Sequence, residues 1–84
     1  VGTTSAGLRV RGVRYLSEGK LTAAIEALEA AIAGKKVPAD TWWHYADALA
    51  RAGRAAEARP HLEKFLSKAA KRAPFVEEAK QRLA

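Results

Sequence analysis

Shifted against itself by 34 residues, the chain matches: Leu8 falls on Trp42, Gly12 on Ala46, Gly19 on Gly53, Ala24 on Ala58 and Leu28 on Leu62. A third, shortened copy keeps the phase, with Val76, Ala79 and Leu83 following Trp42, Tyr45 and Leu49. A fixed period in this range marks a stacked helical repeat, because each unit is too thin to bury its own apolar face and must lean on a neighbour. Scaffolds of that kind usually bind partners and rarely do chemistry.

The 84 residues suit a single domain spanning 1–84. So short a chain buries a smaller fraction of its surface than a large domain does, and with no cysteine neither a disulfide nor a thiolate metal site can help. Stability must come from helix packing, in which alanine supplies much of the apolar content and little burial per residue. The net charge of +6 permits nucleic acid, an anionic membrane surface or an acidic protein as partner. The cations are scattered among nine carboxylates, however, which reads as a solvated basic surface. No apolar run approaches the ~18 residues of a membrane span, and no leader resembles a signal peptide. Methionine is absent, so the chain is expected to be a fragment of a longer protein. Its alanine and arginine content points to a GC-rich bacterial genome, which leaves cytoplasm and periplasm both open.

Val1 to Thr4 is a small polar lead-in, and Thr4 or Ser5 can cap a first helix running to about Ser17. Gly19 breaks the pattern, and a second helix covers about Leu21 to Ala33, terminated by Gly34. Asp40 is the expected N-cap of a third helix that runs to about Ala52 and ends at Gly53. The fourth covers about Ala55 to Ala70, with Pro60 too deep for its first turn; a kink near Ala56 to Pro60 is expected, the ring facing solvent. Pro74 should start a short fifth helix through Ala84. Nothing reads as strand.

Laid out this way, the chain resembles the tetratricopeptide repeat family, whose unit is a helix-turn-helix of about 34 residues. The first unit, 5–38, offers Leu8, Gly12, Tyr15, Gly19, Ala24, Leu28 and Ala31 at the pattern positions. The second, 39–72, offers Trp42, Tyr45, Ala46, Leu49, Gly53, Ala58, Leu62 and Phe65. Arg11 stands where the family prefers leucine and Phe65 where it prefers alanine. The resemblance implies an all-α, right-handed α-α superhelix of two antiparallel hairpins, with 74–84 as a fifth, capping helix. Lys80 replaces Gly12 and Ala46 at the close-contact position, as a helix with nothing packed beyond it allows.

Adjacent residues on a helix point about 100° apart, so Trp42 and Trp43 cannot face one core. Trp42 aligns with Leu8 and belongs in the packed seam. Trp43 aligns with Arg9 and faces the inner groove, where the family's first helices meet ligands; there it either anchors a partner or folds over the first hairpin to thicken the core. The rest of that groove is Arg9, Val13, Leu16, Asp40, His44, Asp47 and Arg51, apolar ground with charges of both signs, suited to a segment of protein. Val13 and His44 occupy positions where carboxylate-clamping members of the family carry asparagine, which argues against that function. His44 oriented by Asp47 could form a general base, but no serine or cysteine nucleophile accompanies them, and a surface ion pair is the better reading. His44 and His61 alone are too few for a durable metal site. Lys64, Lys68 and Lys71 form a stripe joined by Arg72, Lys80 and Arg82, yet no aromatic stacking platform is interleaved with them.

The expectation is therefore a non-enzymatic module without cofactor or metal, binding a peptide or helix of a protein partner in its groove. A self-assembling segment of a larger repeat protein, with a second copy or neighbouring repeats as its only company, is the main alternative. Nucleic-acid binding through the basic C-terminal third is the third.

Overall fold

The computed structural model describes residues 4–84, so of the polar lead-in only Thr4 is seen. Five helices follow in order: α1 (Ser5–Ser17), α2 (Leu21–Ile32), α3 (Ala39–Arg51), α4 (Ala55–Lys68) and α5 (Val76–Leu83). Among the described residues there is no strand, and no helix is long and apolar enough to cross a membrane. The fold is all-α.

Thr4 caps α1, its Oγ1 accepting from the Gly7 N–H at 3.1 Å. The ends of α1 and α3 are built alike. Gly19 and Gly53 take φ of 75° and 81°, and their N–H groups donate to Leu16 and Ala50, both at 3.1 Å. The next N–H groups reach back to close each turn, Lys20 to Tyr15 at 2.9 Å and Arg54 to Leu49 at 2.8 Å. This double bond pattern satisfies carbonyls that a helix end leaves orphaned, and its left-handed residue carries no Cβ penalty when it is glycine. Every pair in it is related by the 34-residue shift, so the sequence period has a backbone counterpart.

Three boundaries depart from the sequence reading. Asp40 is not the cap of α3: Pro38 is, at φ −60° and ψ 144°, and Asp40 lies in the first turn. Its carboxylate is drawn instead to the Arg9 guanidinium, 3.2 Å away on α1. Helix α2 ends at Ile32, one residue before the expected Ala33, which is its C-cap with Gly34 next; the left-handed residue of the link is Lys36 (φ 54°). Pro74 does not open the last helix; Phe75 is its N-cap, itself left-handed at φ 72°. Pro60 is exposed as expected, and α4 continues through it unbroken to Lys68.

Helix α1 packs along α2 and α3 along α4 as two hairpins, each closed by a tight turn, while α2 against α3 and α4 against α5 join the pieces. The hairpin interiors need small residues. A Cβ on Gly12 would lie 2.6 Å from Leu28 Cδ2 and nearer still to Cγ, so only glycine lets α2 approach α1 this closely. Ala24, Ala46 and Ala58 are buried at the equivalent crossings, and Leu28, Leu49 and Phe65 fill the space beside them. Val76 and Ala79 extend the same core into α5, and Leu83 packs against its edge. The molecule measures 35 × 27 × 18 Å.

Candidate functional site

Side chains from α1, α3 and the C-terminal segment enclose a groove of about 370 Å³. Val13 and Leu16 form its α1 wall, and Trp43, His44, Asp47 and Arg51 its α3 wall; Phe75, Glu78 and Arg82 close the third side. Six of the eight groove residues read from the sequence thus line one cavity. The other two stand beside it as an ion pair, Arg9 with Asp40, which ties the start of α3 to α1.

Of the two roles open to Trp43, the structure gives it the one in the core, where it is 4% exposed. Trp42 is half-buried and packs against the core, in keeping with its place in the seam. Trp43 is covered because Phe75 stacks on it, ring centroids 4.9 Å apart at 7°, while Phe65 packs at 6.0 Å and 50°. The Arg82 guanidinium carbon lies 4.6 Å from the Trp43 ring centroid, a cation–π contact. Trp42 leans on α4 instead, with the His61 ring stacked at 6.0 Å and Lys64 Nζ 5.7 Å from its centroid.

Charge in the groove is organised by Asp47, a buried carboxylate. Its Oδ1 accepts from Arg82 at 3.1 Å and its Oδ2 faces Arg51 Nε at 3.1 Å. Two arginines on one carboxylate leave one surplus positive charge, and Glu78 balances it by accepting from Arg82 at 3.3 Å. His44 does not pair with Asp47. Its Nε2 lies 3.7 Å from Asp40, and its ring meets Phe75 edge-on at 5.8 Å. Burial pushes the His44 pKa below its ordinary value of 6.5; Asp40 and Asp47 oppose the shift and Arg9 adds to it. At neutral pH His44 is therefore an uncharged wall of the groove, with its Asp40 neighbour already engaged by Arg9.

Among the described residues no group of three or more His, Cys, Asp or Glu could hold a metal ion. The basic stripe is divided in space. Lys64 lies over Trp42, Lys80 pairs with Glu77 at 3.6 Å on the surface, and Arg82 turns inward to Asp47, while Lys68, Lys71 and Arg72 are exposed as well.

Phe75, Glu78 and Arg82 were missed as groove residues. One signal was available: Phe75 aligns with Thr41 and Gly7, so a large aromatic stands where the earlier copies are small. No family profile, curated protein or solved structure matches the chain.

Proposed function

We propose that this chain is a protein-interaction module of the tetratricopeptide kind, two repeats and a capping helix in a right-handed superhelical stack, that receives a segment of a partner in the groove between α1, α3 and α5. The repeat reading is supported by the matched helix ends at Gly19 and Gly53, by the close approach at Gly12, and by the in-phase burial of Val76 and Ala79. The observation that carries the binding reading is the convergence of Val13, Leu16, Trp43, His44, Asp47 and Arg51 on one cavity. Apolar ground flanked by a few fixed polar groups suits a side chain of a bound segment.

The test uses groove residues that the core does not need. Val13 is half-buried and Arg51 exposed, so Val13→Glu and Arg51→Glu should each leave the far-ultraviolet circular dichroism unchanged. A partner captured by the native chain should be lost from both variants. Retention by both would remove the groove from the account. Nucleic-acid binding is disfavoured because Arg82 is held by Asp47 and Lys80 is paired with Glu77, which divides the basic stripe; it would require retention on heparin that falls steeply with salt.

A further inference from the structure

Building on the groove reading above, we propose that the groove accepts a helical segment bearing an aromatic side chain and, one turn later, a carboxylate, and that Phe75 and Glu78 of the chain itself hold that place until such a partner arrives. Phe75 is not part of the seam that fastens α5, since Val76 and Ala79 are the residues buried there. It precedes the helix, keeps 38% of its surface exposed, and spends its ring on the groove, parallel to Trp43 and edge-on to His44. This is how a guest side chain would sit.

The backbone beneath that ring is unfavourable. Phe75 has φ 72° and ψ −4°, a left-handed conformation that residues with a Cβ resist. Strain of this kind persists where surrounding contacts impose it, and it gathers at ligand clamps and switches. Here the imposing contacts are the two rings. The strain offsets part of what stacking and burial of the ring contribute, so the closed arrangement is held less firmly than its contacts alone would hold it, and an incoming aromatic can displace it.

The carboxylate follows from charge. Arg82 is shared between buried Asp47 and Glu78, which is exposed and three residues after Phe75. A partner carboxylate in the Glu78 position would meet Arg82, with Arg51 across the groove. A basic segment would bring a cation against two arginines already sharing one acid, and is rejected.

The experiment uses the full chain in a Trp42→Phe background, so that Trp43 is the sole indole. The probe is a blocked, alanine-rich helical peptide carrying one phenylalanine and, one turn later, one glutamate, titrated by Trp43 fluorescence. Phe75→Ala should bind it at least ~10-fold more tightly than the chain with Phe75, because apparent affinity scales with the fraction of molecules whose site is open. Phe75→Gly, which removes the ring and accepts the left-handed backbone, should give the same gain. Replacing the probe's phenylalanine by alanine should abolish binding, and its glutamate by glutamine should weaken it. Equal affinity with and without Phe75, lost on Val13→Glu, would overturn the placeholder and leave the groove standing. Binding indifferent to Val13→Glu, or no binding to any chain, would overturn both.

Discussion

A methyl group at Gly12 would stand inside the van der Waals envelope of Leu28, itself without exposed surface, so neither partner has room to move aside. Gly12→Val should therefore destabilise the fold by about 2–3 kcal/mol, read as a lower denaturant midpoint, because overpacking in a close-packed interior forces backbone shifts. Trp43 sets a different limit. Truncation of a buried aromatic costs about 3–5 kcal/mol, a large fraction of the stability of any domain this small. Trp43→Ala should unfold much of the population at ambient temperature by circular dichroism, and loss of binding in that variant would report on folding. Gly12 was legible as a small residue at a crossing. For Trp43 the sequence left core and groove both open, since helical phase gives the direction of a side chain and not what arrives to cover it.

At the level of elements, the turns and the hairpins were readable because their causes are local. Gly19 and Gly53 end α1 and α3 wherever the rest of the chain goes, and apolar spacing marks the four long helices. The misread cap of α3 has a tertiary cause: Asp40 had a local role open to it as N-cap, and the Arg9 guanidinium from another helix claimed its carboxylate. Pro60 is the reverse case, a local rule outvoted by packing. It forfeits a hydrogen bond inside α4, yet Ala58, Leu62 and Phe65 on the buried face keep the helix whole. Because its ring is exposed, Pro60→Ala should restore that bond at no packing cost and raise stability by ~1–3 kcal/mol, measured in urea with an unchanged m-value.

For the molecule as a whole, acid sensitivity follows from its two histidines. Burial is the leading cause for both His44 and His61, and each is held below the ordinary value of 6.5. The unfolded chain then takes up protons near pH 6.5 that the folded chain refuses, so the histidine contribution to stability is full above that pH. It falls as the pH drops from 6.5 toward the depressed folded values, and levels off below them. The thermal midpoint should decline as the pH drops below about 6.5, and His44→Gln with His61→Gln should flatten the first part of that decline. A midpoint that stays constant as the pH drops below 6.5 in the native chain would contradict the assignment of both rings as half-buried and neutral. Because His44 also borders Phe75, its protonation would act on the groove and on the fold together.

The 34-residue period, the all-α class, the left-handed turns and the residues of two of the three groove sides were determined by the amino-acid order alone, because each depends on spacing along a helix or on a conformation that one residue type permits. Where α5 settles, and hence that Phe75 lies on Trp43 while Arg82 reaches Asp47, was decided by the tertiary structure. The reason is that these contacts join residues some thirty positions apart, and the phase that marks Val76 and Ala79 as the buried face of α5 does not fix how the link before it lays Phe75 and Arg82 over α3.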